Sequence, residues 1–510
     1  MLSASYSLDA IDGPVDDAVA LLVGADALTK LFAQDASLYG EGTPEVADRM
    51  GWVDIAARSR GQWDQLVAES ADIAEDVDDV VLMGMGGSSL FPEVLTTTFG
   101  PASGHPRLHV IDTTAPGAIA RLAASVRPER TFLLASSKSG STVETRSHLA
   151  YFTSLGGSPD RTGVVTDPGS GLEADARAAG FAHVWAGDPH IGGRYSALSA
   201  FGVVPGALLG VDGATILDAA LDQTDAIEPL GDDAELNVAL RLGAAIGAAA
   251  ANGRNQLTMV IDERMAPFGL WLEQLVAESL GKHGVGAIPV VGERLDHVAA
   301  TPAHRLVVGI GDVDLSGIDA PTVSLSMEET TDIGAHVVLW EVAVALAGKV
   351  LGINPFDQPD VEAAKAAARR LLDGGAPPEP PEVDLDAALA EVTPEDTLVI
   401  CAFVDPGGPH VAAIEAARHA LGERLGVATT LGYGPRFLHS TGQLHKGGPH
   451  SVVVLQVIEP PAGSAGGPVD VDIPGQPFSF GTLLRAQAAG DLEALHAAGK
   501  RAHRVALDSL

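Results

Sequence analysis

The sequence predicts an α/β protein: two doubly wound parallel-sheet domains, preceded by a helical segment and followed by a small α/β unit. Three observations predict it. Short continuous apolar runs alternate with segments of helical periodicity, the pattern of parallel strands buried on both faces. The runs fall into two consecutive series. A proline- and glycine-rich stretch, "DGGAPPEPPEVD", then sets off a third, shorter series.

Residues 1–75 read as mostly helical, through "AVALLVGADALTKLFAQ" and "GWVDIAARSRGQWDQLVAES". A first domain, 76–225, has strands expected at "VVLMG" (80–84), "LHVID" (108–112), "TFLLA" (131–135), "TGVVT" (162–166) and "AHVWAG" (182–187). A second, 226–374, has them at "QLTMVID" (256–262), "GAIPVV" (286–291), "RLVVGIG" (305–311) and "TVSLSM" (322–327). The linker covers 375–386. The extension, 387–510, offers strands in "DTLVICAFVD" and "SVVVLQVIE" around a helix near 409–424.

Composition bounds the function. With 46% hydrophobic and 19% charged residues the chain is globular. No apolar run nears the roughly 20 residues that span a bilayer. The start lacks the basic and apolar regions of a signal peptide. Cys401 is the only cysteine, which excludes a disulfide framework, so a cytoplasmic protein is expected. Its 31 basic and 67 acidic residues give a net charge of −36. That field repels nucleic acid and anionic membranes, so neither is expected as a partner. It also slows phosphorylated metabolites, unless the few basic groups are concentrated at a site.

Two stretches look built for an anion. "LMGMGGSSLFPEVL" (82–95) is a strand, a glycine-rich turn and a helix start. Gly84, Gly86 and Gly87 let backbone pass close to a ligand, and a helix N-terminus favours negative charge. A dinucleotide fingerprint wants a third glycine where Ser89 stands, although Asp112 has the place of a ribose-binding carboxylate. "LLASSKSGSTVET" (133–145) gathers hydroxyls around Lys138. Ser141 and Glu144 fit a capping box. Ser136, Ser137, Lys138, Ser139 and Thr142 are left over, and they suit a phosphate.

Together the two stretches resemble the first sugar-isomerase (SIS) domain of the phosphoglucose isomerases. "GGRYSALSAFG" (192–202) is similar to that family's arginine signature, "QLVAESLGK" (274–282) to its glutamate helix, and "INPFDQPDVEAAK" (353–365) to its closing signature. The whole chain, with "GYGPRFLHSTGQLHKGGPH" (432–450), resembles the isomerase half of bacterial transaldolase–phosphoglucose isomerase fusions. No transaldolase half is present, which implies a free-standing form.

The resemblance implies an aldose–ketose isomerase acting between glucose 6-phosphate and fructose 6-phosphate, without cofactor or metal. Glu278 then matches the base that moves the proton, a task suited to a partly desolvated carboxyl. From residue types alone, an exposed i,i+4 pair with Lys282 is the plainer account of it. His297 matches the ring-opening histidine, often donated by a neighbouring subunit, so a homodimer is implied; His304 and His283 are rivals. Lys365 matches a ring-opening partner, or else belongs to a solvated helix pair with Glu362. Arg194 matches the cation that steadies the enediolate. Gly87, Ser88, Ser137, Lys138, Ser139 and Thr142 match the phosphate site, with Gln358 at the phosphate or sugar.

Asp360 replaces the family's usual glycine. The resemblance also implies that Gln358, in place of a threonine, favours glucose over a dual glucose/mannose activity. A non-catalytic sugar-phosphate sensor and a nicotinamide dehydrogenase are the other readings. "FLHSTGQLHKGG" in the tail, with His439, His445 and Lys446, fits a site border, an interface or a surface loop equally well.

Overall fold

The computed structural model describes residues 1–40, 44–228, 237–373, 379–464 and 466–510, the side chains of 44, 361–365 and 373 excepted. Its first strand, β1 (Ala4–Ser7), precedes five parallel strands: β2 (Asp79–Met83), β3 (Arg107–Ile111), β4 (Thr131–Ser136), β5 (Thr162–Thr166) and β6 (His183–Ala186). These five form one sheet in the order β3-β2-β4-β5-β6. β2, β4 and β5 are buried along their whole length, which is why they read as unbroken apolar runs.

The second sheet contains β7 (Gln256–Ile261), β8 (Ile288–Val291), β9 (Arg305–Ile310) and β10 (Thr322–Leu325), in the order β1-β10-β9-β7-β8. β1 joins it antiparallel, with Ala4 opposite Leu325. The N-terminal segment is therefore helical only in part, and it begins as an edge strand of the second sheet. The third sheet holds β11 (Thr397–Phe403), β12 (Ala428–Tyr433), β13 (Val452–Ile458) and β14 (Arg501–Arg504), ordered β12-β11-β13-β14, all parallel. Of the linker, 375–378 lie outside the described residues; Val383 pairs with Val505 beside β14.

Each sheet is wound alike: the second strand in sequence lies at one flank of the first, the third and fourth at the other. This is the doubly wound 2-1-3-4 order, whose reversal point opens a crevice at the strands' carboxyl ends. One large apolar core spans the N-terminal helices and a face of each of the first two sheets. At its centre runs the helix Ile333–Leu351, packed on Val238–Ala251 and Gly213–Ile227. Contrary to the expectation that no run is long enough, Thr330–Leu351 has the length and hydropathy of a membrane span; 89% of that window is buried inside the protein, so it is a core helix.

Candidate active site

In the first sheet the reversal falls between β2 and β4. The turns leaving those two strands carry Gly84–Ser88 and Ser137–Thr142, the two stretches that look made for an anion. They border a cavity of about 450 Å³ that Gly87, Ser88, Lys138, Ser139 and Thr142 line on one side. Arg194, Gln274, Glu278 and Gln358 line the other. Two more arginines, Arg49 and Arg369, face the same space. Basic groups are thus concentrated here despite the chain's acidity.

Gly87 is there for a steric reason. A Cβ on it would lie 1.9 Å from the carbonyl oxygen of Gly193, the residue before Arg194. The phosphate-type turn and the arginine loop are packed backbone against backbone.

Arg194 is 2% exposed and held at every nitrogen. Its Nε donates to Ser279 Oγ (3.0 Å), its Nη2 to the carbonyls of Pro355 (2.7 Å) and Asp357 (2.9 Å), and its Nη1 to Gln358 Oε1 (3.2 Å). Nη1 also lies 3.4 Å from Glu278 Oε2. Glu278 projects from Phe268–Leu280, a helix buried on almost all sides, and is 5% exposed. Burial raises its pKa above the ordinary carboxylate value, against the pull of Arg194, His439 and the Gln274 amide.

The exposed Glu278–Lys282 pair does not form. Lys282 is fully buried, and its Nζ donates to the carbonyls of Asn354 and Asp357 and to Asp357 Oδ1. Burial pushes its pKa down to about 7. It braces the 354–358 turn and leaves Glu278 to the cavity.

The hydroxyl stretch departs from expectation in two ways. Lys138 is not a lone point charge: its Nζ donates to Asp167 Oδ2 (2.5 Å) and to the Asp188 carbonyl (2.8 Å). The capping box is absent, because Thr142 is the N-cap of Val143–Ser154 and gives no side-chain cap bond. Ser141 Oγ pairs instead with Ser139 Oγ (3.0 Å). Glu144 is buried and accepts from His439 Nε2 (2.9 Å) and Gln487 Nε2 (2.7 Å). Ser137 sits one layer back, its Oγ bonded to Thr142 Oγ1 (3.1 Å).

The tail motif is no surface loop. After β12 the chain inserts between the first two units. Arg436 Nε donates to Asp112 Oδ2 (2.7 Å), which removes Asp112 as a ribose ligand, and the buried Ser89 hydroxyl donates to the same oxygen (3.2 Å). The His439 carbonyl accepts from Gln274 Nε2 (2.9 Å), and a Cβ on Gly86 would lie 2.3 Å from that carbonyl oxygen. His439 thereby lines the cavity, its side chain 16% exposed.

A family model described as "Phosphoglucose isomerase" matches residues 55–297. A glucose-6-phosphate isomerase of Rubrobacter xylanophilus is 30% identical over 373 residues, covering 58% of this chain and 84% of the relative. This chain belongs to the phosphoglucose isomerase family. A Thermus thermophilus glucose-6-phosphate isomerase is 29% identical, covering 65% of this chain and 92% of the relative. Among solved structures, a hypothetical protein from Thermus thermophilus matches with a TM-score of 0.61 at 25% identity, over 73% of this chain and all of that one. A Chlamydia trachomatis glucose-6-phosphate isomerase shares the fold, with a TM-score of 0.62 at 17% identity over 73% of this chain and 88% of that one.

Of the family-matched residues, the cavity gathers Glu278, Arg194, Gln358, Gly87, Ser88, Lys138, Ser139 and Thr142. It does not gather His297. That side chain is 10% exposed at the junction with the third unit, its Nε2 bonded to the Val427 carbonyl (2.9 Å) and 3.7 Å from Glu293. Of the rivals, His304 bonds the Gly253 carbonyl, and neither it nor His283 lines the cavity. Lys365 belongs to the helix Val361–Asp373, and its side chain lies outside the described residues. Sequence reasoning missed Gln274, Arg49 and Arg369 as residues of the site; for His439 it left a site border, an interface and a surface loop equally open, and the fold makes it a residue of the site border.

Proposed function

We propose that this chain interconverts glucose 6-phosphate and fructose 6-phosphate by proton transfer through an enediolate. The observation that carries the reading is a buried glutamate of raised pKa, Glu278, 3.4 Å from a fully anchored arginine, at the mouth of a hydroxyl-lined turn. Ser88, Ser139, Thr142 and Lys138 hold the 6-phosphate at the start of two helices, where backbone N–H groups favour an anion. Ser137 orients Thr142. Glu278 takes the C2 proton of the open aldose; the C–H electron pair moves into the C1–C2 bond and negative charge collects on O1. Arg194 opposes that charge. Return of the proton to C1, with the hydroxyl proton moved from O2 to O1, gives the ketose. In this reading the proton transfers draw on no cofactor and the enzyme works in the cytoplasm.

Fructose 6-phosphate formation from glucose 6-phosphate by wild type and Glu278→Gln tests this. Wild type turns over, and the variant falls by about 10²–10⁴ in kcat. No wild-type turnover sinks the activity; a fully active variant sinks the base.

A further inference from the structure

The substrate circulates as a closed ring, so some group must open it before Glu278 has a C2 proton to take. Breaking the C1–O5 bond calls for an acid at O5, distinct from the base at C2. Among the described residues lining the cavity, His439 is the one imidazole. It belongs to the third unit, beyond the end of the family-model match at 297.

His439 has the support that a proton-transfer histidine needs. Its Nε2 faces Glu144 Oε1 at 2.9 Å, and Gln487 Nε2 donates to the same oxygen at 2.7 Å. Thr114 Oγ1 donates to Gln487 Oε1 (2.7 Å), which fixes that amide's orientation. Thr114, Glu144 and Gln487 are all buried, so the chain of bonds is shielded from water. Burial alone would raise the Glu144 pKa, but the His439 ring overcomes it and the carboxyl lies below its ordinary value. A carboxylate only accepts, so Nε2 carries the hydrogen and Nδ1 is the nitrogen available for exchange. The main chain is pinned as well. Gln274 Nε2 bonds both the His439 carbonyl and Glu278 Oε2 (3.3 Å), tying the histidine loop to the base.

We propose that His439 opens and closes the sugar ring, supplied by the chain's own third unit, with Glu144 and Gln487 as positioning residues. The substrate named here rests on the isomerase reading. The Nδ1–H of the imidazolium donates its proton to O5 as the C1–O5 bond breaks and its electron pair stays on O5. The O1–H pair forms the C1=O1 double bond, and that proton passes to a water molecule in the cavity. Reprotonation of Nδ1 by the same water resets the ring. The homodimer implied by the family rests on a histidine borrowed from a neighbour; here one from the same chain already lines the cavity.

Ring opening and reclosure exchange the α and β anomers, so the step is readable apart from isomerisation. Exchange NMR on glucose 6-phosphate, above the uncatalysed rate, measures it alongside fructose 6-phosphate formation. Wild type is expected to do both. Glu278→Gln keeps anomer exchange and loses isomerisation, whereas His439→Gln loses anomer exchange by about 10²-fold or more. A folded His439→Gln that exchanges anomers within threefold of wild type overturns the proposal. Wild type that exchanges anomers without isomerising refutes the proposed function and leaves this step standing; wild type that does neither refutes both. Should His439→Gln fail to fold, Glu144→Gln decides: kcat for anomer exchange falls about tenfold with KM held within twofold, and an unchanged kcat overturns the role.

Discussion

Arg194→Gln should move the pH dependence of the isomerase in a direction set by the geometry around Glu278. Burial raises the Glu278 pKa, and the Arg194 cation pulls it back down. Two unit charges 3.4 Å apart interact by about 5 kcal/mol at an effective dielectric of about 20. That figure is a ceiling, which water entering the vacated space will lower. The base must be ionised to act, so losing the cation moves the acid-side limb of kcat upward. The limb is read in kcat, which reports the enzyme–substrate complex and not the free substrate's phosphate. At neutral pH kcat also falls by about 10²–10³, because the developing O1 charge loses its donor. A variant of reduced kcat whose limb stays where wild type has it would refute the coupling, and with it the claim that this arginine keeps the glutamate ionisable.

Two further outcomes follow from the packing. Gly87→Ala should lower kcat/KM by about 10²-fold or more, since its Cβ must displace the Gly193 carbonyl from 1.9 Å and drag Arg194 with it; near-wild-type kinetics would show that the two turns are not coupled. Glu341, buried in the core helix with Oε1 unpartnered, has its pKa raised well above the ordinary value by burial. The folded state therefore holds a proton that the unfolded chain releases, and stability is lost as pH rises above the unfolded carboxylate value. Glu341→Met should raise the melting temperature at pH 8, by a gain of about 1–3 kcal/mol that shrinks toward pH 5; a gain independent of pH, or a loss, would contradict this.

The strands that could be read from sequence are those whose environment is uniform. β2, β4, β9 and β11 are buried from end to end, so their apolar runs are unbroken. β1 ("ASYS"), β12 ("ATTLGY") and β14 ("RAHR") went unread, being short or polar and lying at the edges of their sheets. The anion turns were legible because the signal is local: glycines, hydroxyls and a helix start within a few residues. Locality also misled. Ser141 to Glu144 has the spacing of a capping box, yet two donors 295 and 343 residues away claim the carboxylate. The Glu278–Lys282 spacing suits a surface pair, yet the helix is enclosed and the lysine serves another turn.

The tail motif shows how a local departure and a distant segment explain each other. Asp360 stands where the family resemblance leads us to expect glycine, and Gln443 of the tail grips it from both sides. Gln443 Oε1 accepts from the Asp360 backbone N–H (2.9 Å), and its Nε2 donates to Asp360 Oδ2 (2.6 Å) and to the Gly281 carbonyl (3.1 Å). Glycine would offer no carboxylate to this clasp. Three residues on, Lys446 forms a buried ion pair with Asp491 (2.6 Å), anchoring the same segment to the helix that bears Gln487. His439, Gln443 and Lys446 thus act at three depths: the histidine at the cavity, the amide on the closing signature, and the ammonium in the third unit's core. A dense run of histidine, glutamine and lysine among glycines was the sequence signal. Its meaning required partners that only the folded chain brings within reach.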